Sequence, residues 1–271
     1  MSLSSSTTPE KDFPWWLVAA GVIAVVIAIF IAANGLYAQV FSIVAQGVWI
    51  TVFVTLAAFA TASLLGLGIA LMGLSGSLVL RQTARFYVEI IRGVPILVLL
   101  FYIAFVGAPG FVALWNLLTA PLQQAGLLSE LHVRDVSLLW RAIMALTIGY
   151  SAFIAEVFRA GIQSVDAGQV EAAKALGLTR LQRFRLIVLP QAIRTILPPL
   201  GNDFIAMIKD SSLVSVLGVA DITQMGKVYA AGSFRFFETY SIVAYIYLLL
   251  TVGLSLLLRR LEHRMRRGRV G

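Results

Sequence analysis

The sequence predicts an all-α polytopic membrane protein with about six transmembrane helices. Of its 271 residues, 59% are hydrophobic and only 13% are charged, and the mean hydropathy is +0.90, which soluble domains do not reach. Several apolar runs are long enough to cross a bilayer as helices and too long for the strands of a membrane barrel. The basic residues are also distributed unevenly between the loops, as the positive-inside rule describes.

Composition excludes several classes of function. The chain has no cysteine and only two histidines, so we expect no disulfide and no cysteine- or histidine-rich metal site. A net charge of +8 could indicate nucleic acid as a partner. However, six arginines fall in the last thirteen residues, directly after an apolar run, and this is typical of a cytoplasmic tail. No phosphate-binding glycine loop and no metalloprotease motif occurs, so we expect no ATP site and no catalytic centre.

The N-terminal part predicts one helix that stands apart from the rest. Residues 1–14 are rich in serine and threonine, and we expect a disordered cytoplasmic N-terminus there. The apolar run that follows begins with Trp15 and Trp16, which suit a membrane interface. A signal peptide is the competing interpretation, but the run is long and no basic segment precedes it. We therefore predict an additional transmembrane helix over residues 15–34.

The second and third predicted spans contain the first polar candidates. The second covers residues 46–73, where Thr51 and Thr55 lie on one helix face and could either bond a neighbouring helix or line a path. Arg81 and Arg85 follow in a predicted cytoplasmic loop. Glu89 and Arg92 are three residues apart and can form an ion pair. Gly93 and Pro95 then end that helix before a third span over residues 96–106.

The C-terminal half predicts three further spans. An outside loop over residues 107–136, with a possible interfacial helix, leads to a fourth span over 136–158, and Glu156 and Arg159 form a second spaced pair near its end. A fifth span over 193–208 is predicted to be broken at Pro198 and Pro199, which free backbone carbonyls. Lys209 and Asp210 follow it and are expected to fix a gate loop. The last span covers 239–258, and residues 263–271 form a basic cytoplasmic tail.

Counting charges over these loops tests the orientation. Sixteen of the 21 lysines and arginines fall in segments that this topology assigns to the cytoplasm. The excess predicts that both termini are cytoplasmic.

A polar segment, residues 163–190, separates the fourth and fifth spans and predicts two short helices. Asp166 can cap the first helix, and Gly177 can end it in the left-handed conformation. Thr179 can cap the second helix with Gln182 in the capping-box position, and Pro190 limits its continuation. Five apolar residues form a surface that no core of the segment itself can cover, which indicates a partner. They are Ala172, Ala173, Ala175, Leu176 and Leu178.

The same segment resembles a family signature. Glu171-Ala172-Ala173, then Gly177 after three residues and Ile187-x-Leu189-Pro190 after nine more, matches the EAA motif of type I ABC importer permeases. Residues 46–55, 87–95, 149–171 and 209–215 resemble further elements of the polar amino acid uptake subfamily, with departures at 151–153 and at Asp166. The resemblance covers residues 43–262 and implies the type I ABC importer permease fold with an additional N-terminal helix.

The resemblance also implies partners. Segment 163–190, which we name the coupling segment, corresponds to the element that docks into a cytoplasmic ATPase. Its ATPase-coupling residues are expected to be Glu171, Ala172, Ala173, Gly177, Leu178 and Pro190. The family implies two ATP-binding subunits, an identical or sister permease subunit and a periplasmic or lipid-anchored amino-acid-binding protein, all at the bacterial cytoplasmic membrane. ATP and Mg²⁺ would bind the partner ATPase, and this chain would hold no cofactor and no metal.

A path for free amino acids must accommodate an ammonium and a carboxylate. Ionisable groups inside a span are costly, and each is therefore a functional candidate. The candidates are Glu156, Asn202, Asp203, Thr51, Thr55 and Ser212. Glu156 could instead pair only with Arg159, and Asp203 could serve only as a cap. Two other functions stay open from the residues alone: a secondary transporter driven by an ion gradient, with Glu156 or Asp203 as its proton site, and a membrane-embedded enzyme.

Overall fold

The computed structural model describes residues 15–267, with side chains as far as Glu262. The predicted disordered segment 1–14 and the end of the predicted tail lie outside the described residues. The described chain is helical, which confirms the all-α prediction. Its α-helices are α1 Trp15–Ala33, α2 Gly35–Ala45, α3 Gly47–Gly73, α4 Leu78–Gly93, α5 Ile96–Tyr102, α6 Ala108–Gln124, α7 Leu138–Gln163, α8 Ala167–Ala175, α9 Arg180–Arg183, α10 Leu189–Asp210, α11 Ile222–Ser233 and α12 Phe236–Arg267. Two π-helical turns (Ile103–Gly107, Phe184–Val188) and two 3₁₀ turns (Val133–Asp135, Ser211–Leu217) connect some of them.

Five helical stretches of the described residues are long and apolar enough to cross a membrane. They are Trp15–Ala33, Gly35–Gly73, Ile96–Gln124, Leu138–Gln163 and Phe236–Glu262. The fifth predicted span lies in α10, which is 22 residues long but carries Arg194, Asn202 and Asp203. Helix α10 packs against α7, α12 and α3, and of these three polar residues Asp203 is half-buried whereas Arg194 and Asn202 are exposed.

Helices α3 and α7 form the centre of the bundle and run parallel. The hydroxyls of Thr61 and Thr147 lie 2.7 Å apart, and Gly73 lies opposite Arg159 further along both helices. At Gly66 an added Cβ would lie 2.9 Å from the carbonyl oxygen of Ser151, so only glycine allows this close approach. The core between these helices includes Val54, Leu100, Leu146, Ile154 and Met207 among its buried side chains.

Helix α10 runs antiparallel to α7. Gly161 lies against Ile196 near one end, and the Tyr150 hydroxyl donates to Asp210 Oδ2 at 2.7 Å near the other. The end of the bundle with Gly73, Gln163 and Leu189 therefore also carries the coupling segment, and we call it the coupling end.

Helix α1 packs on α2 and α12 and is antiparallel to α12. The Tyr245 hydroxyl donates to the Ala24 carbonyl at 2.9 Å, and the Arg259 guanidinium lies 5.3 Å from the centroid of the Trp16 ring. A second core joins α1, α2, α11 and α12 through Ile31, Val40, Ile222 and Ile242 among others. The additional helix thus lies at the edge of the bundle, and Ile31 is its one buried residue.

Two predicted loops are helical in the structure, and one further helix was not predicted. Residues 35–45 form α2, whose start is capped by the Asn34 side chain. The predicted loop with Arg81 and Arg85 is helical in α4, and the predicted outside loop after residue 107 continues as α6 to Gln124. The predicted end of a helix at Gly93 and Pro95 is confirmed, since α4 ends at Gly93 and α5 begins at Ile96.

The prediction that the prolines break the fifth span is wrong. Helix α10 continues through Pro198 and Pro199 without interruption. Neighbouring helices hold it on both sides of the prolines, because Ile196 packs on Gly161 of α7 and Gly201 packs on Leu258 of α12. Packing of this kind allows proline inside a membrane helix, where freed carbonyls find other partners.

Candidate functional site

The first helix of the coupling segment has defined ends. The Asp166 carboxylate accepts a hydrogen bond from the Gln169 N–H at 3.1 Å, which caps the start of α8 as predicted. At the other end the Leu178 N–H donates to the Ala173 carbonyl and the Gly177 N–H to the Lys174 carbonyl, at 3.1 and 3.0 Å. With Gly177 at φ +78°, this is the Schellman arrangement, in which glycine avoids the steric cost of the left-handed region.

The second helix is joined directly to the bundle. Thr179 and Gln182 form the predicted capping box, with backbone-to-side-chain bonds of 2.9 and 3.3 Å. After α9 the chain widens into a π turn, where the Leu189 N–H bonds the Phe184 carbonyl. Pro190 follows and has no N–H to donate, so the π turn lies where the regular α-helical hydrogen bonds cannot continue. A continuous helical rod therefore runs from Arg180 to Asp210.

The coupling segment exposes several apolar residues, including Ala172 and Ala175 of the predicted surface. Leu176 is 81% exposed and Leu181 is 74% exposed, whereas Ala173 is buried and Leu178 is half-buried. The apolar surface predicted from the sequence is thus divided, and Leu181 is an additional member that was not predicted. Glu171 is exposed and forms no ion pair within the described part of the chain.

A polar cavity of about 450 Å³ lies between α3, α4 and α7, close to the coupling end. It is lined by Glu89, Arg92, Glu156, Arg159 and Gln163 among others, and we call it the Glu156 cavity. Arg159 donates to both carboxylate oxygens of Glu156, at 3.0 Å from Nε to Oε1 and 2.6 Å from Nη2 to Oε2. Arg159 Nη1 also donates to the Gln163 side chain at 2.6 Å.

A second cavity of about 450 Å³ adjoins the first on the side away from the coupling end. It is lined by Arg92, Tyr150, Phe153, Asp203 and Asp210 among others, and we call it the Asp203 cavity. Asp203 Oδ2 is buried and accepts no hydrogen bond from the described residues, although a buried carboxylate oxygen without a partner is costly. An unpaired anionic group that lines a cavity is suited to bind a cation.

Arg92 is the residue that lines both cavities. The predicted Glu89–Arg92 ion pair does not form within the described part of the chain, because the Arg92 guanidinium instead lies 5.4 Å from the centroid of the Phe153 ring. Stacking of this kind is favourable for arginine. Phe153 was not predicted as a site residue, although it lies in the stretch 151–153 where the sequence departs from the subfamily pattern.

The other candidates lie outside these two cavities. Thr51 and Thr55 are fully buried: Thr51 Oγ1 accepts from the Ile222 N–H at 3.2 Å, and Thr55 Oγ1 donates to the Thr51 carbonyl at 2.8 Å. This is the helix-bonding role that the sequence left open for Thr51. Asn202 and Lys209 are exposed, and Ser212 is half-buried in a 3₁₀ turn.

Comparison with known proteins identifies the family. Residues 62–267 match the family described as the inner membrane component of binding-protein-dependent transport systems. A probable amino-acid permease protein of Bacillus subtilis, YxeN, is 39% identical over 81% of this chain and 90% of its own length. The glutamine transport system permease protein GlnP of Escherichia coli is 35% identical over 82% of this chain and 92% of its own length.

A solved structure supports the same family assignment. A chain from the crystal structure of an amino acid ABC transporter with histidines superimposes with a TM-score of 0.68 at 38% identity, covering 84% of this chain and 95% of that chain. The predicted ABC importer permease family and fold are therefore confirmed. The chain is a transport protein rather than an enzyme, and it belongs to the family of inner membrane components of binding-protein-dependent transport systems.

Proposed function

We propose that this chain is the permease subunit of an ATP-driven ABC importer for polar amino acids. The observation that carries the proposal is the coupling segment, a capped helical pair that exposes Leu176 and Leu181 at one end of the bundle. Full burial of one leucine contributes roughly 1.5–3 kcal/mol, so two leucines in a partner groove would stabilise a complex measurably. The substrate class follows from the relatives, whose names refer to amino-acid and glutamine transport.

The proposed assembly contains two ATP-binding subunits, which bind ATP and Mg²⁺, and two permease subunits that are identical or sister chains. A periplasmic or lipid-anchored amino-acid-binding protein delivers the substrate. In this arrangement the coupling segment and both termini are cytoplasmic. The antiparallel packing of α1 on α12 supports the orientation of the termini, since Trp16 and Arg259 lie at the same level of the bundle.

The coupling segment is connected to two of the helices that line the proposed path. Helix α7, with Glu156 and Phe153, leads into the segment, and the rod from Arg180 to Asp210 leaves it with Asp203. ATP binding would close the ATPase dimer, move the segments and tilt these helices so that the path opens outward. ATP hydrolysis would reset it. The chain thus supplies a bistable element whose equilibrium its partners bias.

The proposed path runs through the two cavities and past Arg92. Asp203, whose Oδ2 atom has no hydrogen-bond partner among the described residues, and Glu156 would attract the ammonium or a basic side chain, and Arg92 would attract the carboxylate. Arg92 can serve as a gate because it lies between the cavities and is held by a ring contact rather than by an ion pair.

The test is reconstitution in proteoliposomes with the cognate ATPase and binding protein. We expect ATP hydrolysis to rise with the loaded binding protein, and labelled glutamine or another polar amino acid to accumulate only when ATP is present. Uptake that follows an imposed proton or sodium gradient without ATP would contradict the proposal and favour a secondary transporter.

A further inference from the structure

A third cavity, entirely apolar, lies where the coupling segment joins the bundle. It has a volume of about 370 Å³ and lies between α3, α7, the π turn and α10. Leu67 and Leu71 line it from α3, Phe158 from α7, and Phe184, Leu189 and Ile193 from the rod. We call it the apolar groove. It is more than twice the size of engineered cavities of about 150 Å³ that bind benzene, so it can hold part of a hydrocarbon chain.

The groove is open to the surroundings of the bundle. Leu71 is 50% exposed, Ile193 is 42% exposed, and Phe184 is 39% exposed. Each of these three residues lies on a helical segment whose opposite face packs against the bundle. Because α3 belongs to one of the apolar stretches that can cross a membrane, this open apolar side is suited to contact lipid.

Basic residues lie within about one helical turn of Phe184, which lines the groove. Backbone bonds link Leu189 to Phe184 and Phe184 to Arg180, so these three residues follow one another, turn by turn, along one face of the rod. Arg180 therefore lies at the polar end of the apolar stripe, with Arg183 on the next turn of the same helix. The sequence has no acidic residue between Glu171 and Asp203, and it places Lys174, Arg180, Arg183, Arg185 and Arg194 there.

We propose that the groove binds one anionic phospholipid, with an acyl chain along Leu71, Phe184 and Ile193 and the phosphate at Arg180 and Arg183. Charge complementarity selects this occupant, because an open apolar groove with Arg180 one helical turn beyond it matches a phosphate on a hydrocarbon chain. Basic pockets between membrane helices bind anionic headgroups in the same way. This lipid site is separate from the proposed transport function. It would place a lipid where the coupling segment connects to the helices that line the path.

A single-cysteine label gives a direct test, since the chain has no cysteine of its own. The full-length Leu71→Cys variant, labelled with bimane, is reconstituted in phosphatidylethanolamine vesicles. The vesicles contain a low mole fraction of brominated-acyl phosphatidylglycerol or, in parallel, of brominated-acyl phosphatidylcholine. The control is Leu64→Cys, two turns earlier on α3, which is 74% exposed and does not line the groove.

We expect phosphatidylglycerol to quench the label at position 71 at a much lower mole fraction than phosphatidylcholine, and both lipids to quench the label at 64 equally. Each basic residue near an anionic lipid contributes a factor of about five in affinity. Arg180→Gln with Arg183→Gln should therefore remove about a twenty-five-fold preference. The matched pair Arg259→Gln with Arg260→Gln, which also removes two charges, should keep that preference.

Three results would overturn the proposal. Equal quenching at position 71 by the two lipids would mean that the groove takes any acyl chain. A preference that survives the loss of Arg180 and Arg183 would place the phosphate elsewhere. A label at 71 that neither lipid quenches would mean that a second copy of the chain covers the groove.

Discussion

The Asp203 carboxylate is the most informative group to change in the proposed path. Asp203 lines a cavity. Its Oδ2 atom is buried and accepts no hydrogen bond within the described part of the chain. Asp203→Asn keeps the size of the side chain and removes only the charge. If this carboxylate binds the ammonium or basic group of the substrate, losing the charge-assisted bond costs roughly 1.5–3 kcal/mol, which is about ten- to a hundredfold in affinity.

The assay is uptake of labelled amino acid into proteoliposomes that contain the whole transporter. We expect uptake efficiency to fall by that factor while ATP hydrolysis stimulated by the docked binding protein persists. Protein stability should be unchanged or higher, because no intramolecular bond is lost and a costly buried charge is removed. Asn202→Ala, at the neighbouring exposed position, is the control and should transport normally. If Asp203→Asn and Glu156→Gln both transport like the parent, the path lies elsewhere, for example along Thr51 and Thr55.

Three further predictions concern the coupling segment, the far end of the bundle and the topology. Gly177→Pro excludes φ +78° and removes the N–H that bonds Lys174, so it should uncouple ATP hydrolysis from uptake without lowering the amount of folded protein in the membrane. Burial raises the pKa of the Asp221 carboxyl from 3.8 to about 6, so the folded state binds more protons than the unfolded state. The free energy of unfolding should therefore fall by about 2 kcal/mol as pH rises from about 4.5 to about 7. The Asp221→Asn variant can still cap α11, and its thermal unfolding should lack this pH dependence. A reporter fused at Ser2 should be active in the cytoplasm, and activity restricted to the periplasm would contradict the orientation and favour a signal peptide.

Local features of the site could be predicted from the sequence because they depend on neighbouring residues. The caps at Asp166 and Thr179 and the left-handed Gly177 each use bonds that span only a few residues. The end of α4 before Pro95 follows from the missing N–H of proline. Predictions of such local features are correct wherever tertiary packing does not compete with the local hydrogen bonds.

Features that depend on contacts between helices could not be predicted in this way. The spacing of Glu89 and Arg92 predicts an ion pair, but the fold brings Phe153 of α7 to the Arg92 guanidinium instead. The adjacent prolines of α10 predict a break, yet packing on α7 and α12 keeps the helix continuous. The Asp203 cavity is likewise formed by residues that are far apart in the sequence, and only the folded arrangement shows that Asp203 Oδ2 has no partner.

The central claim is that the coupling segment transmits ATP-driven movement to the path. The most direct measurement compares substrate-stimulated ATP hydrolysis and uptake in the complete transporter carrying Leu176→Asp with Leu181→Asp. The control is Leu127→Asp, which changes a residue that is 72% exposed and lies outside the coupling segment. We predict at least a tenfold loss of both activities in the double variant, because two buried charges oppose docking, and normal activity in the control. Full activity in a double variant that reaches the membrane at normal levels would contradict the claim.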